Sequence, residues 1–360
     1  MSYFFLKTDS FNFVPINKTP WGGSKIAEIK KKYFPHFLNK IPAKIGESWE
    51  VSTDIHYPSK IISDNKELNN KTLIEVLKNN NAKKILGESI FNKYGAHCPL
   101  LLKWLNASDF LSVQLHPNNN NPALKPEECG KPESWLVLDI EQDGFVYLGF
   151  KEHLTQSEIT EFLLNDEPEK CLYRYEPKVF DYISVPPGCV HAIGKGVFVA
   201  EPQYVLPQKS GKTWRISDWK RLYNKHGQKS ETGKPRELHV KESINSIDWS
   251  LPRGKHLEKL LIKNMAENTV FYGDTYNPFA ISVFNEIGTF CYKPLFKNTF
   301  SIITVWSGEI IMKHNNKTST LKGGESGLIL SNIDNIHLTL KSKNSDLPKA
   351  AFFSLNSEVI

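Results

Sequence analysis

The chain has 360 residues, 40% hydrophobic and 23% charged, the profile of a globular protein with room for two or three domains, each with its own core. A total of 45 Lys and Arg against 39 Asp and Glu leaves a formal charge of +6, scattered rather than striped, so nucleic acid is not an expected partner while a small anionic substrate suits the balance. Aromatics make up 12% and often alternate with polar residues, which argues against an all-helical protein and for half-buried strands.

The five cysteines, Cys98, Cys129, Cys171, Cys189 and Cys291, form no CxxC pair, and an odd number cannot all pair within one chain. The opening "MSYFFLKTDSFNF" has no secretory pattern, and no apolar run approaches membrane-spanning length. A reducing cytoplasm, no membrane partner and a monomer are the expectations.

In chain order, residues 1–70 read as short strands and irregular segments around turn signals such as "TPWGGSK". Residues 71–93 carry apolar residues at helical spacing in two runs separated by "NNN", which predicts two helices. Strand candidates follow: "LLLKWL", "FLSVQLH", "ESWLVLDI" and "FVYLGF". A helical insert over 155–165 opens with Thr155 and Glu158 at capping-box spacing. Strands resume in "DYISVPPGCVHAI" and "GVFVAEPQYV". Residues 222–247 read as a connection or flap, and from about 258 further strands suggest a smaller second barrel. The expected division is 1–250 and 251–360.

In "SVQLHP" an extended strand puts Ser112, Gln114 and His116 on one face and Val113 and Leu115 on the other. Glu133 opens the next strand candidate, and His191 follows the turn "VPPG", whose two prolines and glycine set where the next strand begins. Two imidazoles, one carboxylate and one amide oxygen suit Zn, Fe, Mn or Ni. A lone histidine is more often a surface or core residue than a ligand; only the combination of all four groups points to a metal.

Lys103, Lys131, Arg215 and Arg221 fall in the same segments, and Lys and Arg hold phosphate dianions through charge-assisted hydrogen bonds to which Ser112 adds a hydroxyl. Taken singly, each cation is more often a solvated surface charge. Glu201 shares a face with Val197 and Val199, so it either points inward, where it can serve as an acid or base, or caps the strand end.

Six collinear blocks, "WGG", "GESWEVS", "PLLLKWLNASDFLSVQLHP", "GKPESWLVL", "VPPGCVHAIGKGVFVAEPQ" and "TWRISDWKR", resemble the class I mannose-6-phosphate isomerases over about residues 20–222. The resemblance implies a mainly β fold of two cupin-type double-stranded β-helix barrels with small helical inserts. It further implies a Zn2+ site on Gln114, His116, Glu133 and His191, an active-site arginine at Arg215, substrate contacts at Ser112 and Lys131, and a family glutamate at Glu201. The implied reaction is interconversion of mannose 6-phosphate and fructose 6-phosphate through a cis-enediol, with Glu201, Arg215 and Lys131 as participants.

One departure stands out. Many bacterial members carry an acidic residue in "SDTTYR", where this chain reads "SGKTWR" with Gly211 and Lys212. From residue 258 on, the C-terminal barrel offers only His314 and His337 and is expected to hold no metal. Two rival readings use the same residues: a cupin dioxygenase built on two histidines and a carboxylate, and a non-catalytic sugar-phosphate binding protein.

Overall fold

The computed structural model describes residues 3–79, 82–266 and 269–356. Strand accounts for 37% and helix for 17%, the mainly β class expected of a cupin fold. Nearly every strand candidate becomes a strand: "ESWLVLDI" is Glu133–Ile140, "GVFVAEPQYV" contains Val197–Tyr204, and "KAAFFSL" is Lys349–Leu355.

Contacts gather the chain into two compact units that interleave along the sequence. One comprises Met1–Val14, Ser24–Trp104 and Met265–Ile360, the other Pro15–Gly23 and Leu105–Asn264. A single boundary at residue 250 therefore does not describe them. The strand Phe5–Thr8 pairs antiparallel with Glu325–Ile329 on one edge and with Ile61–Ile62 on the other, which draws the N-terminal segment onto the C-terminal strands.

In the first unit those strands belong to a seven-stranded sheet, and a four-stranded sheet runs Gly288–Tyr292, Ile336–Lys341, Glu309–His314, Lys317–Lys322. Three helices, Leu73–Asn79, Ala82–Leu86 and Glu88–Tyr94, replace the two expected over 71–93. The extra break is at Gly87, whose φ of +99° no residue with a Cβ adopts comfortably. Asn80 and Asn81 of the "NNN" separator lie outside the described residues.

A buried polar network ties this unit together. Lys30 donates to Glu50 Oε1 at 2.9 Å and to the Gly324 carbonyl at 2.7 Å, with its ammonium 4.7 Å from the centre of the Trp104 ring. Ser48 donates to the same Glu50 oxygen, Ser326 to the other, and Trp104 to Thr304, which shares a hydrogen bond with Ser326. Glu50, in the block "GESWEVS", is thus half of a fully buried ion pair.

In the second unit a five-stranded antiparallel sheet has the order Trp214–Ser217, Val113–Leu115, His191–Ile193, Val146–Phe150, Leu172–Tyr175. A second set of strands in the unit runs Ile262–Asn264, Asp181–Val185, Glu133–Ile140, Val197–Tyr204. One face of the five-stranded sheet is apolar: Val113, Leu115, Ala192, Trp214 and Ile216 form a core with Ile159 and Leu163 of the helix Gln156–Leu164. That helix begins at the expected capping box, with Thr155 and Glu158 bonded reciprocally.

Besides Lys25–Tyr33 in the 1–70 stretch, two further α-helices appear where none was expected, Val240–Ile244 within the polar 222–247 segment and Gly254–Leu261 just beyond it. The first is too short to show a helical period, and the second carries one in Leu257, Leu260 and Leu261 but over only eight residues.

Lys30→Met leaves the Glu50 carboxylate buried without its cation and is expected to cost about 3–5 kcal/mol, while adding Glu50→Leu recovers most of the loss. Denaturant unfolding of the two variants checks this, and a single-variant loss below about 1 kcal/mol contradicts it. Thr155→Ala is expected to cost about 1 kcal/mol by the same measurement, and no loss at all is the contrary result.

Candidate metal centre

The alternation that buries Val113 and Leu115 turns Gln114 to the opposite face of the five-stranded sheet. Its partner in register on one side is His191 and on the other Arg215, so three chemically active side chains form one row across three strands. The Gln114 amide Nε2 lies 3.3 Å from His191 Nε2, and half a turn of that amide presents Oε1 instead.

His191 is placed by the turn Pro186–Gly188. Gly188 has φ +81°, a Cβ there would sit 2.8 Å from the Asp248 backbone nitrogen, and its own N–H donates to the His116 carbonyl at 2.8 Å. The turn that positions one histidine is thereby bonded to the other.

Glu133 begins its strand opposite Val185 on one side and Gln203 on the other. Its Oε2 lies 3.1 Å from His116 Nε2, and its Oε1 3.5 Å from His191 Nε2. Ligand atoms of His116, Glu133 and His191 all lie within 4.8 Å of one another, and all three residues are buried. His116 Nδ1 bonds the Lys212 carbonyl at 3.0 Å and His191 Nδ1 the Cys189 carbonyl at 2.9 Å. Each Nδ1 is thus the protonated nitrogen, and each Nε2 keeps a lone pair aimed at the carboxylate.

Electrostatics agree with that assignment. Burial first, and then the neighbouring His116, pushes His191 down to about 3, and burial with nearby Lys131 lowers His116, so both rings are neutral at neutral pH. Burial alone would raise Glu133, but His116 and Lys131 beside it hold its carboxyl well below the usual range, so it is ionised. His116 Nε2 and Glu133 Oε1 are buried without a hydrogen bond. Unsatisfied buried atoms of this kind cost roughly 1–3 kcal/mol each, which a divalent cation between them removes. The donor set fits a metal.

The remaining candidates are distributed around this group. Lys131 Nζ is 3.4 Å from Glu133 Oε2. Ser112 Oγ donates to Gln114 Oε1 at 3.4 Å. Glu201 is buried and accepts from Trp135 Nε1 at 3.2 Å and from Gln203 Nε2 at 2.6 Å, so of its two readings the inward one holds. Gln203 also donates to Glu133 Oε2 at 2.8 Å, which links Glu201 to the centre.

Arg215 meets the row through its register with Gln114, and its guanidinium Nη1 donates to the Glu237 carbonyl at 2.9 Å while Nε is buried without a partner. Arg221 is committed elsewhere, to Asp218 and the Phe110 carbonyl. Lys103 belongs to the first unit, over the Trp49 ring and 3.6 Å from Glu47.

Gln203 was not singled out in the sequence, although it alternates with Glu201 and so shares its face. The carbonyls of Cys189 and Lys212 carry no signal in sequence, because every residue has one.

The family model for the type I phosphomannose isomerase catalytic domain matches residues 13–134. Mannose-6-phosphate isomerase ManA of Bacillus subtilis is 30% identical over 308 residues, 84% of this chain and 87% of that protein. Mannose-6-phosphate isomerase of Streptococcus mutans is 29% identical over 238 residues, 66% of this chain and 67% of that protein. Among solved structures, the mannose 6-phosphate isomerase from Bacillus subtilis superposes with a TM-score of 0.72 at 23% identity, covering 97% of this chain and 98% of that one. A variant of phosphomannose isomerase from Salmonella typhimurium gives 0.69 at 15% identity, with 98% and 100% covered. At those identities the structural likeness speaks for the fold, and the sequence relatives carry the assignment. The chain belongs to the type I phosphomannose isomerase family.

Proposed function

We propose that the chain interconverts mannose 6-phosphate and fructose 6-phosphate, using a Zn2+ held by Gln114, His116, Glu133 and His191. The observation that carries this reading is the pair of orphaned atoms, His116 Nε2 and Glu133 Oε1, facing His191 within one 4.8 Å group in a chain of this family. The reaction moves a proton from C2 to C1 through a cis-enediol, the aldehyde oxygen becoming a hydroxyl and the C2 hydroxyl a carbonyl, with no net change in composition. A Zn2+ bound there supplies Lewis acidity toward the carbonyl and hydroxyl oxygens of the sugar.

The other roles belong to the chain's own residues. Lys131 and Ser112 hold the phosphate end, converting remote binding energy into orientation of the reacting carbons. Glu201, its carboxylate held by Trp135 and Gln203, takes part in carrying the proton. Arg215, with an unpartnered Nε and a pKa lowered by burial and by neighbouring Arg236, is short of an anion and stabilises the charge that develops on the enediol oxygens. A reducing compartment accords with five free cysteines, four of them buried.

The His–Glu–His set by itself would also serve an Fe(II) oxygenase. Gln114 beside His191 and the cation beside Glu133 favour the isomerase. Oxygen uptake by iron-loaded protein would reverse that preference.

Dialysis against a chelator is expected to lower formation of fructose 6-phosphate to below about one hundredth, with stoichiometric Zn2+ restoring it. Metal analysis is expected to find bound zinc lost in His191→Ala. Full turnover by chelated protein counts against the metal. Arg215→Ala is expected to lower kcat/KM by about 10²- to 10³-fold; an unchanged value removes Arg215 from the reaction.

A further inference from the structure

The departure at "SGKTWR" has a physical counterpart. The short strand Ser210–Gly211 pairs in parallel with Glu128–Cys129, held by the Ser210 N–H to the Glu127 carbonyl at 2.9 Å and the Lys212 N–H to the Cys129 carbonyl at 2.8 Å. This lays residue 211 against Lys131. A Cβ built on Gly211 falls 2.9, 3.0 and 3.1 Å from Cδ, Cγ and Cβ of Lys131. The glycine backbone lies outside the left-handed region, so what it supplies is space and not conformational freedom. The crowding reaches the base of the lysine side chain, so a swing of the ammonium end alone does not relieve it. Lys212, next along, turns its ammonium to Glu128 at 2.6 Å, leaving Lys131 as the cation 3.4 Å from Glu133.

We propose that Gly211 is a positioning residue for substrate phosphate: its missing side chain seats the aliphatic stem of Lys131 across the strand and so places the ammonium at the edge of the centre. The inference rests on the reading of Lys131 as a phosphate contact given above. The three atoms nearest a Cβ at 211 all belong to Lys131 and none to a metal-ligating residue, so a side chain there weakens binding more than chemistry.

The test compares wild type, Gly211→Ala, Lys131→Ala and the double variant, all zinc-loaded. G211A is expected to raise KM for mannose 6-phosphate, and the inhibition constant of inorganic phosphate, about tenfold each, with kcat within about threefold of wild type. Lys131→Ala raises both constants at least as far, and adding G211A to it changes them by less than about twofold, because the ammonium and the crowded Cγ and Cδ are gone and only the residue 131 Cβ stays near. Equal phosphate constants for wild type and G211A overturn the proposal, as does full additivity in the double variant. If G211A alone loses cooperative unfolding, recovery in the double variant supports the contact and its absence overturns it. A wild type that never converts mannose 6-phosphate refutes the isomerase reading instead, and phosphate binding by calorimetry across the same four proteins then decides the role of Gly211.

Discussion

A carboxylate buried between two neutral imidazoles is the constraint around which the second unit is arranged. Glu133 lies almost wholly out of water and is ionised, a state that needs compensation from close donors or cations. Lys131 and Gln203 supply part of it, yet Oε1 and the facing His116 Nε2 are left without hydrogen bonds. Local structure keeps them so. Both Nδ1 atoms are tied to backbone carbonyls, one sheet face is packed under a helix, and the turn before His191 is bonded to His116. A site that cannot relax toward self-satisfaction is preorganised for a ligand.

The first unit shows the opposite use of the same chemistry. Lys30 and Glu50 are also a buried cation and carboxylate, but both oxygens of Glu50 accept bonds and the ammonium has two acceptors and an aromatic face. Nothing there asks for a further partner. The difference between a structural pair and a reactive centre lies in which atoms are left unpaired, and neither residue type nor burial separates the two.

Much of the fold was legible because antiparallel strands with one buried face write their period into the chain. Val113 and Leu115 alternating with Gln114, the boundaries of Glu133–Ile140, and the box at Thr155 and Glu158 were all readable. The helices Val240–Ile244 and Gly254–Leu261 were not, since one has five residues and the other carries its apolar period over only eight. Interleaving of the units was hidden too, because the pairing of Phe5–Thr8 with Glu325–Ile329 spans more than 300 positions and leaves no local trace.

Residue types and alternation alone determined which groups share a strand face: Gln114 away from the core, Glu201 with its valines, and a histidine delivered just after a rigid turn. Tertiary structure decided that these faces converge, that each imidazole keeps Nε2 free, that Gln203 bridges two carboxylates, and that Gly211 makes room for Lys131. The reason is one of range. Side-chain direction along a strand is a property of neighbouring residues, whereas a hydrogen bond to a distant carbonyl, or the space left by an absent Cβ, exists only once separate strands have been brought side by side.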